Sequence, residues 1–129
     1  MRVCLDTNAY SHLRRGNKKL LELLNNCEEI VVPAATYAEL MYGFLRGGKF
    51  AENESLLSEF LEEDHVLFQP VTPSIAERWG YIKSALAENG TPIPDNDIWI
   101  AATTLETGTR LVSYDHHFDL IGSLIRLSP

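Results

Sequence analysis

Four carboxylates in this sequence stand where chemistry could be done: Asp6, Glu39, Asp97 and Asp115. Asp6 closes the apolar run Val3-Cys4-Leu5, and Asp115 follows Leu111-Val112-Ser113. Glu39 lies in the second turn of the helical segment Ala34–Arg46, and Asp97 follows Pro94 at the start of another. Brought within a few ångströms of one another, four carboxylates would repel and their pKa values would rise. No neighbouring Lys or Arg in the sequence neutralises all four, whereas a divalent cation would. Hard oxygen donors suit Mg²⁺ or Mn²⁺, and Mg²⁺ usually keeps waters and takes a substrate phosphate as well. Two such ions about 3.5–4 Å apart clamp the attacking and leaving oxygens of a phosphodiester.

Convergence of these acids depends on the elements that carry them. Short β-type runs (Arg2–Leu5, Ile30–Val32, His65–Phe68, Leu111–Ser113, with Leu124–Leu127 as a fifth) alternate with helical segments. The helical segments are an amphipathic stretch from Leu20 to Asn26, then Ala34–Arg46, Ala51–Glu63, a helix opened by Thr72-Pro73 and closed by Asn89-Gly90, and Pro94–Glu106. Thr72 is an N-cap type with Pro73 at the first turn, and Gly47, Gly90 and Gly108 are stop signals. This alternation predicts an α/β fold with a mainly parallel sheet and helices on both faces. Asp6 and Asp115 then lie at the carboxyl edge of the sheet, because each follows a strand. The helix carrying Glu39 leaves a strand, and the helix carrying Asp97 feeds one, so both begin at that same edge. In such sheets ligands bind outside the carboxyl ends of the strands, where strand order reverses.

Each acid taken alone has a plainer explanation. Asp6 would cap a following helix, and Glu39 would be an exposed helical residue. One of Asp95 and Asp97 would cap its helix, and Asp115 would form a turn. His116 and His117, next to Asp115, are expected to be solvated loop residues. Only the shared edge ties the four acids together.

Composition is compatible with this reading and excludes others. A chain of 129 residues with 45% apolar and 22% charged residues fits one domain, residues 1–129, with a core that needs no disulfide or metal staple. The longest apolar run, Ile30 to Ala35, is too short to span a membrane. Asp6 interrupts the N-terminal segment before a run long enough for a leader develops, which predicts no secretory leader. Cys4 and Cys27 show no CxxC spacing and fit a reducing, cytoplasmic setting. The net charge of −7 disfavours nonspecific coating of DNA. The charge is uneven: residues 1–49 hold seven Lys and Arg against five Asp and Glu, and residues 50–129 hold four against thirteen. Arg14, Arg15, Lys18 and Lys19 follow the first acid by one or two helical turns and are the candidates for phosphate contacts.

The blocks themselves resemble a known family. Leu5-Asp6-Thr7-Asn8, Ala38-Glu39-Leu40 with Tyr42-Gly43, Gly90-Thr91-Pro92-Ile93 before Asn96-Asp97-Ile98-Trp99-Ile100-Ala101-Ala102, and Leu111-Val112-Ser113-Tyr114-Asp115 with Phe118 are similar in order and spacing to the PIN-domain nucleases. Within them the VapC-type toxins of VapBC toxin–antitoxin modules are the subgroup most resembled. The resemblance implies a three-layer α/β/α sandwich with strand order 3-2-1-4-5 and a metal-dependent endoribonuclease. It implies Asp6, Glu39 and Asp97 as core metal-binding acids and Asp115 at a more variable fourth position. By the same resemblance Asn8 orders the first loop, and Ser113 positions a water or an acid. It also implies a homodimer, and a VapB-type antitoxin whose basic residue enters the acid cluster. Met41, Phe44, Leu45, Leu56, Leu57, Phe60 and Leu61 would line a groove for that partner or else belong to the core. The competing readings are a PIN domain that binds RNA or protein without cutting, and an aspartyl phosphatase or receiver domain. The latter lacks support, since the first strand has no Asp-x-Asp pair and no strand ends in Lys.

Overall fold

Every strand but the edge ones must be covered on both faces, because the apolar runs are continuous rather than alternating. A computed structural model, which describes residues 1–129, shows how this is met. The chain runs β1 (Arg2–Leu5), α1 (Thr7–Arg14), α2 (Lys18–Asn25), β2 (Glu29–Pro33), α3 (Ala34–Arg46) and α4 (Phe50–Leu61). It continues through β3 (Val66–Gln69), α5 (Pro73–Glu88), α6 (Asp95–Thr107), β4 (Arg110–Val112), a 3₁₀ turn (His116–Leu120) and β5 (Arg126–Leu127). The five strands form one sheet in the order β3-β2-β1-β4-β5, and every pair is parallel.

The strand period of two sorts side chains to two cores. Val3 and Leu5 of β1 join Ile30, Val32, Leu20, Leu57 and Phe60 on the face covered by α1 to α4. Cys4, between them, joins Val31, Leu111, Ile75, Ile98, Ile100 and Phe118 on the face covered by α5, α6 and the 3₁₀ turn. The architecture is therefore the expected α/β/α sandwich with the expected strand order. Both cysteines are free and buried. Burial pushes the Cys4 thiol up to about 12, so it stays protonated and acts as packing. No helix is long and apolar enough to cross a membrane.

Several boundaries differ from the sequence reading. The helix Thr7–Arg14 is the one Asp6 was expected to cap, now with its bounds; the 3₁₀ turn His116–Leu120 was not expected as an element, and β5 keeps only two residues. Five residues are too few to show a period. The break between α1 and α2 is made by Gly16 at φ 85°, followed by Asn17, whose side chain accepts from the Leu20 N–H as N-cap. The helix ends read from Thr72, Pro73 and Asn89-Gly90 are as expected.

Gly108 ends α6 in the left-handed region at φ 67°, where an added Cβ would meet nothing closer than 4.0 Å. The penalty for Gly108→Ala is therefore conformational rather than steric, about 1–2 kcal/mol. Urea unfolding should show a lower midpoint with an unchanged slope.

Candidate active site

The register of β1 and β4 builds the centre of the site. Leu5 lies opposite Val112, so the next residues, Asp6 and Ser113, come side by side at the carboxyl edge. Strand order reverses at this pair, since β2 and β3 lie to one side and β5 to the other. Asp6 is only 4% exposed, and each of its oxygens accepts one hydrogen bond. Its Oδ1 accepts the Ala9 N–H at 2.8 Å, capping α1, and its Oδ2 accepts the Ser113 hydroxyl. The capping role weighed from sequence is therefore real, but it uses only one of the two oxygens.

The other acids are brought in by the helices that start at this edge. Thr36, fully buried in the first turn of α3, donates to the Leu5 carbonyl at 2.9 Å and fixes α3 against the end of β1. Glu39, three residues on and thus on the same helix face, accepts the Thr7 hydroxyl at 2.8 Å. Asp97 sits in the first turn of α6. Asp115 opens the 3₁₀ turn: its N–H donates to Ser113 Oγ at 3.0 Å, and its Oδ1 accepts the His117 N–H at 2.9 Å. Together Asp6, Glu39, Asp97 and Asp115, with Thr7, Asn8 and Ile100, line a cleft of about 90 Å³ that contains no Lys or Arg.

This environment raises the pKa values of Asp97 and Asp6. Asp97 is pushed up to about 6, first by burial and then by the charges of Asp115 and Glu39. His117 offsets part of this, and Asp6 adds a little to it. Asp6 is also raised, chiefly by burial, although its bonds from Ser113 and Ala9 oppose the shift. The side-chain oxygens of Asp97 receive no hydrogen bond from the protein. Acids crowded together without a fixed cation, some with free oxygens, are the donor set that a hard divalent ion satisfies.

Other candidates fall differently. Neither Asp95 nor Asp97 caps α6: Pro94 holds the N-cap position with no side-chain bond, and Asp95 is drawn to Lys83 of α5 at 2.6 Å. Asp95 thus stands outside the cleft. Asn8 lines the cleft, but the hydroxyl that ties the first turn of α1 to α3 is that of Thr7. Ser113 holds an acid rather than standing free for a water. His117 is not an isolated solvated residue. Its Nδ1 lies 3.2 Å from Asp115 Oδ1 and 3.7 Å from Asp97 Oδ2. His116 faces away, to Asp119 and Arg126. Arg126 also donates to the Ser113 carbonyl at 3.0 Å and pairs with Asp119, whose carboxyl it pulls down to about 2. These ties anchor the segment that carries Asp115.

The basic residues divide. Arg14 and Arg15 line a wider cleft of about 410 Å³ between α1, α3 and α4, joined there by Lys49, a cation the sequence reading did not single out. Arg14 lies over the rings of Tyr10 and Phe60, 5.1 and 5.8 Å from their centroids, and its Nε donates to Tyr10 Oη. Lys18 and Lys19 are exposed in the first turn of α2, outside that cleft. Of the expected groove residues, Leu57 and Phe60 belong to the core instead. Phe44 and Leu56 line the wider cleft, Met41 and Leu61 are half-buried, and Leu45 is 67% exposed.

Comparison with known proteins agrees with this geometry. The family model of the PIN domain matches residues 3–124. A Haemophilus influenzae protein named Ribonuclease VapC2 is 32% identical over 115 residues, covering 88% of this chain and 86% of its own length. The structure of VapBC-1 from nontypeable Haemophilus influenzae superposes with a TM-score of 0.88 at 25% identity, covering 99% of this chain and 98% of that one. A Rickettsia felis VapBC2 structure, bound to a DNA fragment from their promoter, gives 0.85 at 26% identity over 98% of both chains. The chain belongs to the PIN domain family, on its ribonuclease VapC branch.

Proposed function

We propose that residues 1–129 form one catalytic unit, a divalent-metal-dependent endoribonuclease that serves as the toxin of a type II toxin–antitoxin pair. One observation carries the reading: four carboxylates from four separate parts of the chain line a single cleft that holds no protein cation. The names of the relatives support RNA as substrate and a VapB-type antitoxin as partner.

In this reading Asp6 and Asp97 are the principal ligands of one Mg²⁺ or Mn²⁺, and Glu39 and Asp115 hold a second ion or orient the attacking water. The bound metal would lower the pKa of that water and offset charge on the phosphate being attacked. Ser113 and the Ala9 N–H hold Asp6 in one orientation. Thr7 does the same for Glu39, and the His117 N–H for Asp115, each at one oxygen, so that both carboxylates keep lone pairs for water or ion. Arg14 and Arg15, with Lys49, which line the wider cleft, would contact RNA phosphates along it. Lys18 and Lys19 would extend that contact along α2. The half-buried Met41, Phe44, Leu56 and Leu61, with exposed Leu45, offer an apolar border on which an antitoxin helix would lie. A basic antitoxin residue reaching the acids would block the site. We further propose a cytoplasmic homodimer, as the resemblance implies.

Antitoxin-free protein incubated with total cellular RNA should yield discrete fragments with Mg²⁺ or Mn²⁺. EDTA should yield none, and restored metal should bring the fragments back. Cleavage that survives EDTA would overturn the metal dependence. Folded protein that cuts nothing under either metal would favour a binding-only PIN domain.

A further inference from the structure

His117 is the one nitrogen donor within reach of the acids, and the family reading assigns it no part. Donors around a six-coordinate ion with bonds of about 2.1 Å stand about 3 Å apart when adjacent and about 4.2 Å when opposite. His117 Nδ1 is 3.2 Å from Asp115 Oδ1 and 3.7 Å from Asp97 Oδ2. One donor atom from each of these three residues lies within 4.8 Å of the other two. The imidazole thus stands at nearly the adjacent-ligand spacing from Asp115 and between the adjacent and opposite spacings from Asp97, close enough for all three to share one ion. Its backbone is held there too, since the His117 N–H caps onto Asp115 and Phe118 beside it is buried.

Resting on the metal reading above, we propose that His117 is a metal ligand that biases the site toward Mn²⁺ and later divalent ions over Mg²⁺. An all-oxygen shell suits Mg²⁺, which dehydrates reluctantly and keeps its waters. Imidazole adds affinity for ions further along the first transition series and little for Mg²⁺. The competing arrangement is electrostatic: the ring balances the acids only while no cation is present and turns out when one arrives. That arrangement predicts no metal–nitrogen bond.

Electron spin-echo modulation on the Mn²⁺-loaded protein separates the two. Directly bound imidazole nitrogen should modulate the echo of wild-type protein. The modulation should vanish in His117→Ala and persist in His116→Ala. Calorimetric titration should show Mn²⁺ affinity falling at least about tenfold in His117→Ala, and Mg²⁺ affinity by less than about twofold. Wild-type protein grown with ¹⁵N-histidine reads the same coupling without any substitution, should the alanine variant fail to fold. Mn²⁺ bound with no nitrogen coupling, or with coupling that survives His117→Ala, would overturn the role of His117 and leave the acidic site standing. A protein that binds no Mn²⁺ at all would overturn the metal reading, and this inference with it.

Discussion

Asp97→Asn is expected to abolish RNA cleavage and, at the same time, to make the metal-free protein more stable. Stabilisation of transition-state charge by a bound metal contributes several kcal/mol, and each 1.36 kcal/mol is tenfold in rate, so losing a principal ligand should cost at least about 10²-fold. The stability change has the opposite sign because of where Asp97 sits. Burial and the charges of Asp115 and Glu39 raise its pKa from 3.8 to about 6. The folded protein therefore holds this proton more tightly than the unfolded chain does. Below about pH 3 both states are protonated and the group has no effect on stability. Between there and pH 6 the unfolded chain gains by ionising, and above pH 6 the full penalty is present, about 2–3 kcal/mol. Asparagine removes it. Melting in EDTA at pH 7.5 should place the variant roughly 5–10 °C above wild type. About half of the free-energy advantage should remain at pH 5 and almost none near pH 3. Mg²⁺ should raise the melting temperature of wild type and do much less for the variant. A variant that still cuts RNA would remove Asp97 from the machinery. A variant no more stable than wild type at pH 7.5 would show that Asp97 does not carry the burial and repulsion that its placement implies.

That opposition between stability and activity explains why the acids were legible in the sequence. Asp6 follows three buried residues, Val3 to Leu5, and no fold requirement demands acids after both strands that flank the switch point. Edge placement follows from connectivity alone, so strand and helix order sufficed to bring Asp6, Glu39, Asp97 and Asp115 together. What stayed hidden depends on register and on partners distant in the chain. The bond from Ser113 to Asp6 needs the pairing of Leu5 with Val112. Asp95 was expected to compete for a cap, but Lys83 on a neighbouring helix claims it. His117 was expected to face solvent. Its position beside Asp97 comes from the tight turn that Asp115 nucleates, and the signal for it was an Asp followed two residues later by a His at the end of a strand. Arg126, bound to the Ser113 carbonyl from thirteen residues away, left no local trace.

Phe118→Ala should unfold much of what positions the fourth acid. Phe118 is 1% exposed and lies in the 3₁₀ turn three residues after Asp115, packed in the cluster that holds Ile98, Ile100 and Leu111. The buried ring of Phe118, with Ile121 beyond it, holds this turn to the body, together with an exposed ion pair of Arg126 to Asp119 and its part-buried bond to the Ser113 carbonyl. Exposed ion pairs contribute little, because water screens them and long side chains lose entropy in forming them. Removing a buried phenyl ring costs about 3–5 kcal/mol through lost transfer energy and the cavity left behind. The ring is therefore the dominant anchor. Against a total stability of about 5–15 kcal/mol, Phe118→Ala should lower the melting temperature by roughly 10–20 °C. Phe118→Leu, which refills most of the volume, should recover more than half of that. Amide exchange separates a local role from a global one. At temperatures where Phe118→Ala is still folded, the amides of His117 and Ile121 should lose protection more than those of Val31 or Leu111 in the sheet. Metal affinity should fall with them, since Asp115 and His117 ride on the same turn. Equal loss across all four amides would mean that Phe118 supports the core as a whole and that the Arg126 ties suffice to place Asp115.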